Sequence, residues 1–203
     1  MPEFKSKKTM AILIPVVILI LGIVIFAFHN KIFNTDQKTD KADIEKDLNI
    51  VAVIGDRKIT KTEFDNFKAL YPTDKVPSDT ELINTTVERE VLYQEAVKEK
   101  FSVTEDEVNK AFQQQKEAAV QYGEDIKGLV KKQNITEEEY WKRMKNSIKK
   151  DLIIGKYKRK LKEDFSKDNP DLPSNQYPAK YKEYYNNKIE SLKKTIGVKI
   201  FIK

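Results

Sequence analysis

Glu90 stands where a carboxylate is costly. Around it Leu82, Ile83, Val87, Val91, Leu92, Tyr93, Ala96 and Val97 recur at helical spacing and form a wide apolar arc. Glu90 falls inside that arc. A carboxylate so placed is either a proton-transfer group or one half of an ion pair with a lysine or arginine. The pair is the favoured reading, because an unpaired buried charge is expensive. Other material for chemistry is sparse. The chain has no cysteine and one histidine, His29, at the edge of an apolar span. Disulfides, thiolate metal sites and a lipid-modified cysteine are excluded, and zinc sites and Ser-His-Asp or Cys-His catalysis lack their residues. The six glycines, at 22, 55, 123, 128, 155 and 197, are scattered and form no phosphate loop. No Asp-x-Asp-x-Asp-Gly calcium loop is present. The run Glu137-Glu138-Glu139 is accounted for by a helix N-terminus. No catalytic, cofactor or metal residue is assigned, and the expectation is a protein that is not an enzyme.

The elements around Glu90 announce themselves by their caps. Thr60…Glu63, Ser78…Glu81, Thr104…Glu107 and Thr136…Glu139 are four capping boxes. Three carry a hydrophobic staple as well: Ile59 with Phe64, Val103 with Val108, Ile135 with Tyr140. Helices are predicted near 61–70, 79–100, 105–121, 124–132, 137–165 and 178–196. The segment 166–178, with Pro170, Pro173 and Pro178, is a break. Two strands are predicted. Ile50–Ile54 is a short apolar run closed by the Gly55-Asp56 turn, and Val198–Ile202 follows the helix stop at Gly197. A lone strand has no hydrogen-bond partner, so the two are expected to pair as a two-stranded sheet joining the ends of the folded region, 49–203. The fold class is mainly α.

Ahead of it, Met10–Phe28 is apolar and uncharged, about 28 Å long as a helix. Lys5, Lys7 and Lys8 precede it, and no small-x-small cleavage site follows. The expectation is a cytoplasmic tail over 1–8, an uncleaved transmembrane anchor over 9–30, a polar spacer over 31–48, and an extracytoplasmic domain. Net charge is +6, too diffuse for a nucleic-acid partner.

The long helix from Glu137 carries Trp141, Met144, Ile148, Leu152, Ile154, Tyr157, Leu161 and Phe165 at core spacing. Ten lysines and arginines against Asp151 alone lie between Lys142 and Lys162. A solvated face is the plain reading; attraction to anionic envelope polymers is the functional one. Aromatic residues are dense on this helix and the last. Tyr140, Trp141, Met144, Tyr157, Tyr181, Tyr184 and Tyr185 are therefore candidate polypeptide-binding residues.

The run from Val51 through Ile54-Gly55-Asp56-Arg57-Lys58-Ile59-Thr60 to Phe64 resembles the opening of the chaperone domain in the SurA/PrsA family. Leu82-Ile83, Glu90–Ala96 and Val103–Val108 are similar to that family's next helices. The resemblance implies a chaperone domain for unfolded or secreted polypeptides, with the family's parvulin isomerase domain missing and 166–178 in its place. Gram-positive members are lipoproteins, whereas this chain has an apolar span. The implied function is a membrane-anchored chaperone that holds clients in an apolar cleft without catalysis. The alternative is a non-catalytic scaffold subunit of an envelope complex. A second copy of the chain is a further candidate partner.

Overall fold

The structure, a computed structural model, describes residues 49–68, 76–121, 123 and 125–202. The tail, anchor and spacer expected over residues 1–48 lie outside the described residues, and no described helix is long and apolar enough to cross a membrane.

The elements follow the caps closely. Strand β1 is Ile50–Ile54, and β2 is Arg57–Thr60. Six helices come next among the described residues: α1 Lys61–Lys68, α2 Asp79–Lys98, α3 Glu105–Gln121, α4 Ile126–Gln133, α5 Glu137–Asp168 and α6 Tyr177–Ile196. Strand β3, Val198–Ile200, closes the order.

The ends pair as the sequence implies: Ala52 opposes Ile200, Val53 opposes Lys199 and Ile54 opposes Val198, antiparallel. The sheet, however, has three strands in the order β2-β1-β3, not two. The Gly55-Asp56 turn does not lead straight into a helix. It makes a hairpin, in which Ile54 opposes Arg57 and Val53 opposes Lys58. Gly55 has φ +59°, and a Cβ there would stand 3.1 Å from the Gln94 Oε1 and 3.2 Å from the Ile196 Cγ2. Backbone conformation and close packing both require glycine here. All five residues of β1 are buried, as befits a central strand.

Two of the four capping boxes are complete. Ser78 accepts from the Glu81 N–H while Glu81 accepts from the Ser78 N–H, and Thr104 and Glu107 do the same. Thr60 and Thr136 accept from the N–H of Glu63 and Glu139. In these two the glutamate side chain turns to an arginine instead: Arg57 for Glu63, Arg143 for Glu139.

The apolar stripe of α5 serves two cores. Its second half, with Ile153, Ile154, Tyr157 and Leu161, packs against β1, Ile59, Phe64, Phe67, α2 and the α6 residues Ile189 and Leu192. Its first half, with Tyr140, Met144 and Ile148, packs against Phe112 of α3 and Ile126, Leu129 and Val130 of α4. The 32-residue α5, about 48 Å long, is the spine joining them. It runs three residues further than the break at 166 implies. Pro178 lies in the first turn of α6, where its missing N–H costs nothing.

Candidate functional site

Two places gather side chains with chemistry: an aromatic strip where α5 meets α6, and a buried ionic cluster between β2, α1, α2 and α5.

The strip follows from spacing. Tyr177, Tyr181, Tyr184 and Tyr185 fall at i, i+4, i+7 and i+8, one face of α6. Phe165, buried near the end of α5, is their hub. Its ring centroid lies 5.2 Å from Tyr177, 5.5 Å from Tyr181 and 5.2 Å from Tyr184. Tyr181 stacks on Tyr177 at 6.2 Å and on Tyr184 at 6.3 Å. The Tyr177 and Ser166 hydroxyls share a hydrogen bond of 2.7 Å. Tyr185 donates to Glu88 of α2 at 2.7 Å, and the Lys158 ammonium lies over its ring. Burial, and then the Glu88 carboxylate, push the Tyr185 hydroxyl above its ordinary range; burial does the same to Tyr181 and Tyr184. All four tyrosines are half-buried.

The seven residues proposed from the sequence do not form one site. Tyr140, Met144 and Tyr157 are fully packed in the two cores, so they turn no surface outward. Trp141 is half-buried near the start of α5, edge-on to Phe112 and Tyr140 and donating to Glu137 at 3.0 Å. It sits about 36 Å along the helix from Phe165. Tyr181, Tyr184 and Tyr185 are brought together, with Tyr177 and Phe165 beside them. Tyr177 is legible as the residue four before Tyr181.

Two open grooves lie among the described residues. The one at Arg159, Lys162, Glu163, Ser166 and Lys167 is lined largely by charged residues; the one at the end of α6 joins Glu190, Lys193 and Lys194 to Gly197, Val198 and Ile200. The basic face of α5 is also less bare than its sequence. Arg143, Lys145, Lys156, Lys158 and Lys160 pair with Glu139, Glu105, Glu107, Glu88 and Asp164.

Lys150 leaves that face altogether. It turns inward, over the Tyr93 ring at 4.5 Å, and its ammonium meets Glu90. The Arg57 Nε lies 3.3 Å from the same Glu90 carboxylate, and Arg57 also bonds Glu63. Gln94 donates to Glu90 at 3.0 Å and to the Ile54 carbonyl at 3.1 Å, tying the cluster to β1. Beside it, Arg89 bonds Asp151 at 2.8 Å and the Ser147 hydroxyl at 2.9 Å. Four helices and strands are thus joined by two carboxylates and two cations with almost no solvent access. Burial pushes Glu63 up to about 7, against the opposing pull of Arg57. Burial would raise Glu90 also, but the charges of Lys150 and Arg57 and the bonds from Lys150 and Gln94 outweigh it and hold Glu90 below its ordinary value. Lys150 is brought down to about 8 by burial, with Glu90 resisting. None of its residues lines either groove, and its arrangement is that of a clamp. Among the described residues no group of three His, Cys, Asp or Glu side chains is placed to hold a metal ion.

No family model, characterised protein or solved structure matches the chain.

Proposed function

We propose that this chain is a membrane-anchored, extracytoplasmic, chaperone-like protein that binds unfolded or secreted polypeptides without catalysis. The observation that carries the reading is the tyrosine strip around Phe165. Partly exposed tyrosines held in fixed positions offer contact area at low entropic cost, and the groove beside them, which includes Ser166, is open and lined largely by charged residues. Clients would lie on this strip, not in a cleft. The resemblance of most of residues 49–203 to the SurA/PrsA chaperone domain and the apolar span at Met10–Phe28 support the same reading. The SurA/PrsA-like fold, the missing isomerase domain and the placement of residues 31–203 outside the membrane belong to this proposal.

Two assays test it with the full-length chain. In excess it should slow light scattering by a denatured client, and it should leave a proline-limited refolding phase unaccelerated. Unchanged scattering would overturn the chaperone reading, and a faster phase would overturn the non-catalytic one. The alternative reading is a scaffold subunit of an envelope complex. In a crosslinking pull-down from intact membranes, one stoichiometric partner selects the scaffold and many secreted proteins select the chaperone.

A further inference from the structure

The last strand has an unused side. Strand β3 lies at the edge of the sheet, beside β1 only. The Phe201 N–H donates to the Val51 carbonyl at 2.9 Å, and the Gly55 N–H to the Gly197 carbonyl at 3.3 Å. Hydrogen-bonding groups alternate sides along an antiparallel strand. Residues 197 and 201 thus face β1, and Val198 and Ile200 turn their N–H and C=O groups outward. No described residue bonds those outward groups. Ile200 is 40% exposed and Phe201 is 41% exposed, large apolar side chains at an open margin. Alongside runs the groove between β3 and the end of α6, lined by Glu190, Lys193, Lys194, Gly197, Val198 and Ile200.

We propose that this edge takes up an extended, acidic peptide segment as a fourth strand of the sheet. Main-chain bonds to Val198 and Ile200 would give the affinity, and side chains at alternate positions the selectivity. The sign of the partner follows from the lysines. Lys58 and Lys199 both oppose Val53, so they stand on one face of the sheet. Lys193 is held by Glu190 at 2.7 Å, while Lys194 and Lys199 make no ion pair among the described residues. A lysine on an edge strand normally discourages pairing. It does so for neutral or basic strands and does not for one that sets a carboxylate opposite Lys199. The same charge argues against a second copy of this chain, whose β3 would bring Lys199 near its own counterpart. The fitting segment alternates apolar residues, opposite Val198 and Ile200, with an acid opposite Lys199.

The inference shares with the chaperone proposal only the class of partner, a polypeptide. Its test is fluorescence anisotropy of a labelled nonapeptide of alternating valine and glutamate, titrated with the full-length chain. The expected result is saturable binding, weakened at least tenfold when alternate peptide amides are N-methylated or when lysine replaces glutamate. Lys199→Glu, at an exposed position, should weaken the acidic peptide at least fivefold and improve the lysine peptide. Absence of saturable binding, or equal binding of the N-methylated peptide, would overturn strand addition. Equal binding of the lysine peptide would overturn the acidic partner. A concentration-dependent dimer abolished by Ile200→Pro would assign the edge to a second copy instead. A chain that suppresses client scattering yet ignores the peptide would sink this inference alone; one that binds the peptide without suppressing scattering would sink the chaperone reading alone.

Discussion

Lys150 and Glu90, sixty positions apart, meet as a buried ion pair that fastens the middle of α5 to the middle of α2. Glu90 is also shared with Arg57, so the pair connects to the hairpin through one carboxylate. Removing one member of a buried pair strands the other, at a cost of about 3–5 kcal/mol. Replacing both by apolar residues removes that penalty.

Lys150→Met should therefore destabilise the fold by about 3 kcal/mol in urea denaturation, and Glu90→Leu by a similar amount. The double variant should cost less than the sum by at least about 1 kcal/mol. Strict additivity would show that the two side chains act independently.

The cluster also sets a pH dependence. The ordinary Glu63 value is 4.5, and burial raises it to about 7 in the folded chain. The folded state thus binds this proton more tightly than the unfolded one. Its contribution is fully present below about 4.5 and is lost as pH rises to about 7. The Glu63→Gln variant should lose this component, which amounts to roughly 3 kcal/mol at about 1.4 kcal/mol per pH unit. Parallel stability profiles for the two proteins between pH 4.5 and 7 would contradict the assignment.

Deleting Val198–Lys203 is expected to weaken the domain without abolishing it. Val198 and Ile202 are only half-buried, while β1 keeps β2 as a hydrogen-bonded neighbour. A loss of about 2–4 kcal/mol is expected from the apolar area removed. A melting curve that coincides with that of the intact chain would show that β3 contributes nothing.

The tyrosine strip and the core should separate in mutagenesis. Tyr181→Ala combined with Tyr177→Ala should reduce client protection at least threefold while shifting stability by about 1–2 kcal/mol. Tyr157→Ala, in the main core, should cost about 3–5 kcal/mol. If the double variant protects a client as well as the parent does, the strip is structural.

The helices are legible in the sequence because their signals are local: a threonine or serine, a glutamate three residues on, an apolar periodicity. All six helices lie within a few residues of where those signals place them. Strand β2 is not legible. Its four residues contain one buried apolar side chain, Ile59, and overlap the cap at Thr60, so the helix signal masks the hairpin. Glu63 fits a capping box by sequence, yet Arg57 claims its carboxylate, a competition that only the hairpin creates. Lys150 is hidden for another reason. It sits in a run of lysines, and its inward turn shows only in its spacing of four from Ile154 and seven from Tyr157. The paired partner foreseen for Glu90 is real, but nothing in the chain says which of many cations it is. The aromatic residues were legible as dense, not as divided. Whether a ring fills a core or faces solvent depends on where α5 passes from one core to the other.

The central strand has its second neighbour at the far end of the chain. All six described helices lie between β1 and β3 in chain order. Closing so long a loop is slow, and until β3 docks the side of β1 meant for it stands bare. The domain is therefore unfinished until β3 itself has been made, and a product truncated ahead of it carries an apolar strand in want of company.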